Sequence, residues 1–193
     1  ADRVKISDLT VSKAGGVGAR TGHGIQGDAG FVELSLNDVR VLYHNYGLYF
    51  LGHAWLNKVI AEYNSTGIRI TGPGCELTNV QSNGNTQYGL WASDLTGLTT
   101  TDLTTASNGI SQLYITGTVA AWTLNHGGGS GIVGTGPVMD FSAGTISSSH
   151  FIGLYVEMPA SGQPAIKFGN AADIRIVGGV IAGTGTGQGI AFT

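Results

Sequence analysis

The sequence is short of cysteine, proline and charged residues. Cys75 is the one cysteine, so no disulfide can form within the chain and no cysteine-based zinc site can be built. Proline occurs four times, which excludes a collagen-like chain even though 33 of the 193 residues are glycine. Charged residues make up 11% of the chain, where about 25% is typical, and hydrophobic residues make up 41%. This composition excludes ordinary disorder, and the glycine content disfavours long helices.

The few charges also limit the partners that we expect. The formal net charge is −3 and the basic residues form no cluster, so we expect no nucleic-acid partner. No apolar run reaches about 18 residues, so we expect no membrane insertion, and the first residues show no signal-peptide pattern. The five histidines have no ligand-like spacing and the acidic residues are dispersed, so we predict no metal site and no cofactor.

Two patterns recur along the chain with the same period. A Gly-Ile or Gly-Leu pair returns every 20 to 23 residues, and an apolar residue that follows it returns every 20 to 23 residues as well. Around both markers, apolar and polar residues alternate in short runs, which is typical of β-strands. The pattern therefore predicts a parallel β-helix, a solenoid with two or three short strands in each turn. The paired glycines are Gly24, Gly47, Gly67, Gly89, Gly109 and Gly131, and the apolar residues are Val39, Val59, Val80 and Leu103.

We expect one all-β domain over residues 1–193, with about eight to nine turns if each turn takes about 22 residues. An irregular or wider turn is expected near residues 126–150, because 34 residues separate Ile132 from Ile166. Neither end shows an amphipathic cap, so we expect the domain to be an excised part of a longer chain.

Polar residues with the same period predict a structural ladder. Asn64, Asn85 and Asn108 each lie five residues after an apolar marker, and His44 occupies this place one turn earlier. Stacked asparagines can hydrogen-bond along the solenoid axis, and asparagine tolerates the left-handed backbone of a sharp corner. We therefore assign these asparagines a structural role.

The residue that directly follows each Gly-Ile or Gly-Leu pair is a candidate ligand-binding group. Arg69 would lie between Tyr49 and Trp91 on the outer surface, and this arrangement suits polysaccharide binding. Sugars stack on aromatic rings, and arginine binds hydroxyls or carboxylates. The alternative is a cation–π cluster that only stabilises the sheet. His53 and Asp94 follow the same strands and would extend the groove. The expected outward column is Gln26, Tyr49, Arg69, Trp91 and Ser111.

Candidate catalytic carboxylates are more scattered. Glycoside hydrolysis needs two carboxyl groups about 5 to 9.5 Å apart. Asp38 and Asp102 are three turns apart, which is about 14 Å and too far. Asp94, Glu62 and Asp102 remain as candidate catalytic residues, with a pair shared across a subunit interface as one arrangement, although a solvated surface charge is the favoured interpretation of each. The second expected outward column is Asp38, Lys58, Asn79 and Asp102.

Several segments resemble a known family. Residues 151–157, 165–168 and 173–179 resemble the β-helical body of bacteriophage tailspikes, and residues 4–11 look like the opening turn of the wider pectate-lyase-like superfamily. The resemblance implies a right-handed, single-stranded parallel β-helix. It also implies a homotrimeric adhesin of the virion tail, assembled in the host cytoplasm. Such an adhesin binds bacterial surface polysaccharide, either capsule or O-antigen, and often cleaves it.

Three functions therefore remain open. The resemblance favours a polysaccharide-degrading glycoside hydrolase, whereas the lack of an obvious carboxylate pair favours a binding or structural shaft without catalysis. The third is a pectate-lyase-like lyase or epimerase, in which Tyr49, His53 and Arg69 would be the candidate groups. Leu42, Leu51 and Ile60 are expected to be exposed apolar residues and suggest lateral association between chains.

Overall fold

The computed structural model describes residues 3–14, 20–28, 33–130, 135–159, 161–183 and 186–193. These residues form β-strands and no helix, so this part of the chain contains no helix that could cross a membrane. The strands are β1 (Arg3–Ser12), β2 (His23–Gly27), β3 (Glu33–Leu42), β4 (Tyr46–Leu51), β5 (Ala54–Glu62), β6 (Thr66–Thr71), β7 (Cys75–Thr78), β8 (Gln81–Asn83), β9 (Tyr88–Thr96), β10 (Leu98–Thr101), β11 (Thr104–Ala106), β12 (Ser111–Ala120), β13 (Thr123–Asn125), β14 (Gly128–Ser130), β15 (Met139–Glu157), β16 (Ile166–Ala182) and β17 (Ile190–Phe192).

The strands stack as a parallel β-helix, as the repeat predicted. All strand pairs among the described residues are parallel, and each strand pairs with strands one turn away. The solenoid has three main faces. The first face contains β2, β4, β6 and β17 with the beginnings of β9, β12, β15 and β16. The second contains the beginnings of β1, β3 and β5, then β7, β10 and β13. The third contains the ends of β1, β3 and β5, then β8, β11 and β14.

The first face gives the number of turns. Eight rungs are stacked on it, which makes about seven full turns and slightly fewer than the eight to nine expected from the sequence. The inward residues of this column, one from each rung, are Ile25, Leu48, Ile68, Leu90, Leu113, Met139, Ile166 and Ile190.

The register of this column differs from the predicted one at the fifth rung. Leu113 pairs with Leu90, whereas the sequence repeat predicted Ile110 at this place. The turn lengthens to 23 residues here, then to 26 before Met139 and 27 before Ile166. The extra residues are accompanied by register shifts between β12 and β15 and within the pairing of β15 with β16. The predicted marker at residues 131–132 lies outside the described residues.

The core is a set of buried columns that run along the solenoid axis. Inward residues of adjacent rungs pack on one another, as with Leu36, Leu56 and Leu77 on the second face. In the wider turns the core is filled by aromatic rings, where Trp122 meets Phe151 edge-on with ring centroids 5.5 Å apart. The indole N–H of Trp122 donates to Thr100 Oγ1 at 3.1 Å, so burial leaves it satisfied. Leu42, which the sequence suggested as an exposed residue, is in fact buried.

The corner between the second and third faces is made by residues with left-handed backbone. Asp38, Lys58, Asn79 and Asp102 stack there with φ between 52° and 56°. The sequence pattern predicted them as an outward column of a strand, but they are the residues at which one strand ends and the next begins. Asp and Asn tolerate this backbone more readily than other non-glycine residues do. For those other residues the left-handed backbone costs about 1–2 kcal/mol.

The asparagines stack on the inner side of the corner that leads back to the first face. Asn64 Oδ1 accepts from the backbone N–H of His44 at 2.8 Å, and Asn85 Oδ1 accepts from that of Asn64 at 2.9 Å. Asn108 Oδ1 accepts from both the backbone N–H and Nδ2 of Asn85, at 3.0 Å and 2.8 Å. All three asparagines are fully buried. The ladder therefore satisfies the backbone of a buried turn in each rung.

Candidate functional site

An axial band of aromatic side chains covers the first face, and we call it the aromatic stripe. Its residues come from two columns, one at the start of each strand and one three residues later. Tyr49, Arg69, Trp91 and Tyr114 form the later column in successive rungs. Arg69 is half-buried between the rings. The complete stripe consists of His23, Tyr46, Tyr49, Arg69, Tyr88, Trp91 and Tyr114.

Arg69 is held by rings on both sides. Its guanidinium carbon lies 4.1 Å from the ring centroid of Trp91, 5.3 Å from that of Tyr49 and 5.4 Å from that of Tyr46. Nη1 donates to the hydroxyl of Tyr46 at 3.1 Å. Nε is buried and has no hydrogen-bond partner among the described residues. The three rings and the Tyr46 hydroxyl therefore fix the cation in place.

Trp91 is fixed by its neighbours as well. Its indole N–H donates to Thr116 Oγ1 at 2.8 Å. Arg69 covers one side of the ring, and Tyr88 and Tyr114 approach at centroid distances of 5.5 Å and 5.7 Å. The sequence suggested sugar stacking on such a ring, but the structure stacks the ring on protein groups. A ligand above the stripe would therefore meet ring edges, tyrosine hydroxyls and guanidinium N–H groups.

The stripe ends at a pair of stacked tyrosines beside a carboxylate. The rings of Tyr88 and Tyr114 lie 4.3 Å apart and are nearly parallel, with 7° between their planes. Burial, followed by the proximity of Tyr114 and of Asp140, raises the pKa of Tyr88 above its ordinary value. Asp140 pairs in register with Tyr114, and its Oδ1 accepts from the N–H and Oγ of Ser142 at 3.0 Å and 2.6 Å. The Tyr88 hydroxyl therefore keeps its proton at neutral pH.

Two of the residues expected to extend the groove lie elsewhere. His53 is exposed at the corner beyond β4 and stacks on Trp55 of the second face, with centroids 6.2 Å apart. Asp94 is a left-handed corner residue with φ 49°, and its Oδ1 accepts from the backbone N–H of Thr118 at 3.2 Å. Ser111, expected as the next outward residue of the column, is buried.

The three candidate catalytic carboxylates do not converge. Asp94 turns the corner after the first face, whereas Asp102 turns the corner between the second and third faces. Glu62 lies at the end of β5 on the third face, and its Oε2 accepts from Arg40 Nη2 at 2.8 Å. Asp102 borders a cleft of about 320 Å³ together with His126 and Tyr155. These three carboxylates therefore give no pair at a glycosidase separation within one chain.

Four of the seven residues of the stripe were not predicted from the sequence. His23, Tyr46 and Tyr88 directly precede the glycines of the repeated pairs, and Tyr114 follows Leu113, whose register was predicted wrongly. The signal was present in the first case, because the residue before the marker is aromatic in three of the first four repeats. Among the described residues, no group of three or more His, Cys, Asp and Glu side chains is placed to hold a metal ion.

Comparison with known proteins extends the description of the fold. No protein-family model matches this sequence, and no curated protein matches it. A solved structure that matches is the A-module of the mannuronan C-5 epimerase AlgE4 from Azotobacter vinelandii, with a TM-score of 0.60 and 12% sequence identity. The match covers 98% of this chain but 58% of the other, so this chain spans less than two thirds of the matched structure's length. With the parallel stacking of the strands, the match shows that this chain shares the parallel β-helix fold of that module.

Proposed function

We propose that this chain binds a polysaccharide along the aromatic stripe. The observation that carries the proposal is the position of Arg69, which is clamped between rings of adjacent rungs and is only part-buried on an outer face. A stacked guanidinium keeps its orientation, so it can offer N–H groups to a ligand at little further cost in side-chain entropy.

The chemistry of the stripe suits a chain of sugars. Tyrosine hydroxyls both donate and accept hydrogen bonds, as sugar hydroxyls do, and ring edges present apolar surface beside them. The stripe with Asp140 crosses six rungs, from His23 onwards, which corresponds to about 24 Å along the axis. This length fits several units of an extended polymer rather than a single sugar.

We propose bacterial surface polysaccharide, capsule or O-antigen, as the ligand, and a tailspike-like adhesin of the virion tail as the whole protein. The support is the resemblance of residues 151–157, 165–168 and 173–179 to tailspikes, together with the β-helix fold. A homotrimer is part of this proposal. Exposed apolar side chains on the outside of the last rungs support it, because such patches are typical of interfaces: Ile152, Tyr155, Val177 and Val180.

Depolymerisation of the bound chain is the catalytic part of the proposal. Asp140 is a carboxylate in the same column as Trp91 and Tyr114, so it is better placed for chemistry on a bound sugar than Asp94, Glu62 or Asp102 are. A hydrolase would need a second carboxylate, which a neighbouring subunit would supply. A lyase or epimerase is the alternative, supported by the neutral Tyr88 hydroxyl beside Asp140 and by the match to an epimerase module.

Two experiments test the proposal. The first incubates the protein with capsular and O-antigen polysaccharides and follows new reducing ends and the ultraviolet absorbance of unsaturated uronates. Reducing ends alone indicate a hydrolase, and both signals together indicate a lyase. The absence of both signals would contradict depolymerisation of the polysaccharides used.

The second experiment measures binding of those polysaccharides by titration calorimetry. We expect Arg69→Ala and Trp91→Ala each to weaken binding by about 1–3 kcal/mol, as loss of a well-packed contact residue does. Arg40→Ala is the matched control, because Arg40 is an exposed arginine on the third face with a single ion pair. Equal affinity of Arg69→Ala and Arg40→Ala, with circular dichroism unchanged in both, would contradict binding at the stripe.

A further inference from the structure

A second cleft lies on the second face, across a corner of the solenoid from the aromatic stripe. It has a volume of about 330 Å³ and is lined by Arg3, Lys5, Glu33, Ser35 and Trp55. The repeat explains why it exists. Lys5, Ser35 and Trp55 occupy the same outward column in three successive rungs, and the middle residue has a short side chain. The short side chain of Ser35 leaves a gap one rung wide beside Trp55.

The walls of this cleft carry groups of both charges. Arg3 and Glu33 pair in register and form an ion pair along one edge. Trp55 is half-buried, and His53 stacks against it with 17° between the ring planes. His53 therefore contacts the indole on one side, while the side towards Ser35 borders the cleft.

We propose that this cleft binds one neutral sugar unit, packed on Trp55 and hydrogen-bonded to the Arg3–Glu33 pair and Lys5. A sugar hydroxyl both donates and accepts, so it matches a site that holds cations and a carboxylate side by side. The formal charges of Arg3, Lys5 and Glu33 sum to +1, and the carboxylate is a hydrogen-bond acceptor that a ligand with only anionic groups could not use. An indole beside these polar groups matches the apolar C–H face of a sugar ring.

The size of the cleft agrees with this ligand. Its volume of about 330 Å³ lies at the lower end of the range for small-molecule sites, about 300–1,000 Å³. For a ligand of this size we expect a Kd of the order of 1 mM. The site lies apart from the aromatic stripe, so the inference does not rest on the function proposed above.

The test is a titration followed by ¹H–¹⁵N NMR with glucose, galactose, mannose and N-acetylglucosamine as probes. The chain has three tryptophans, so three indole N–H signals report separately on Trp55, on Trp91 of the stripe and on the buried Trp122. We expect a saturable shift of the Trp55 signal with at least one of these sugars, while the Trp122 signal stays unchanged.

Two substitutions give matched controls. Ser35→Leu fills the gap without removing Trp55 or the ion pair, and we expect it to abolish the Trp55 shift. Thr99→Leu makes a similar change in the same outward column two rungs beyond Trp55, outside the cleft, and we expect it to leave the shift intact. The inference is overturned if the Trp55 signal does not move with any of the four sugars, or if it moves equally in Ser35→Leu. A shift of Trp91 without a shift of Trp55 overturns this inference and leaves the proposed function standing.

Discussion

The asparagine ladder makes the sharpest prediction about stability. The Asn85 side chain is surrounded by polar partners inside the fold. Its Oδ1 accepts from the N–H of Asn64 at 2.9 Å, and the two hydrogens of its Nδ2 are shared among Ala61 O, Ser82 Oγ and Asn108 Oδ1 at 3.3 Å, 3.2 Å and 2.8 Å. Asn85→Ala would take the side-chain partner away from two backbone groups, the N–H of Asn64 and the carbonyl of Ala61.

The magnitude follows from the N–H of Asn64, because the carbonyl of Ala61 pairs in register with β8 and keeps its ladder bond. Leaving a buried donor unsatisfied costs about 1–3 kcal/mol, so we expect a loss of about 1–3 kcal/mol in the free energy of unfolding. The other two partners keep a bond, because Asn108 Oδ1 still accepts from the backbone N–H of residue 85, and Ser82 Oγ still donates to Gly89 O.

The matched control is Asn57→Ala. Asn57 Nδ2 donates to Asn37 Oδ1 at 2.6 Å, also between asparagines of adjacent rungs, but on the outer surface of the second face. Water replaces this bond, so we expect a change within about 0.5 kcal/mol. Urea unfolding followed by circular dichroism measures both variants. If the two variants lose the same free energy of unfolding, the ladder does not stabilise the fold through buried hydrogen bonds and our reasoning is refuted.

Three further predictions concern buried groups. Burial lowers the pKa of His44 below 6.5, so protonation favours the unfolded chain and the stabilisation present above about pH 6.5 is lost as the pH falls below it. We expect His44→Asn, which extends the ladder, to weaken this acid sensitivity in unfolding measured between about pH 5 and 8. An unchanged pH slope would contradict this role. Burial raises the pKa of the Cys75 thiol to about 11, so we expect no reaction with a disulfide reagent at pH 8 until the chain unfolds. Rapid labelling of the native protein would show that the thiol is accessible. In Gly67→Ala the new Cβ would lie 2.7 Å from Asn85 Nδ2, so we expect a loss of about 1–3 kcal/mol in the same urea assay. Wild-type stability would show that the ladder can shift to make room.

The repeat in the sequence predicted the fold because solenoid rungs impose the same environment at a fixed spacing. Val39, Val59, Val80 and Leu103 stack in the predicted column, since an inward position in one rung requires an apolar residue in the next. The register failed where two apolar residues competed for one place. Ile110 and Leu113 both fit the pattern, and only the packing of the longer turn selects Leu113.

The corners and the site were less predictable for a different physical reason. A polar residue before an inward valine fits either an outward strand position or a left-handed corner, so Asp38 and Asp102 could not be assigned by a period of two. The pattern placed Tyr49, Arg69 and Trp91 in one column, and the structure has them there. The direction in which their rings lean depends on side-chain packing, which no spacing encodes.

The rung-to-rung connectivity has a consequence for any ligand that lies along the stripe. Tyr49 and Tyr114 belong to rungs three steps apart, and β4 connects to β12 by strand pairing through β6 and β9. A polymer bound across all four rungs would therefore link β4 to β12 directly, in addition to the strand pairing through β6 and β9. Opening one inner rung would then break contacts with the polymer as well. A long oligosaccharide should thus slow amide hydrogen exchange throughout these strands and raise the melting temperature, whereas fragments that cover one rung should protect only that rung.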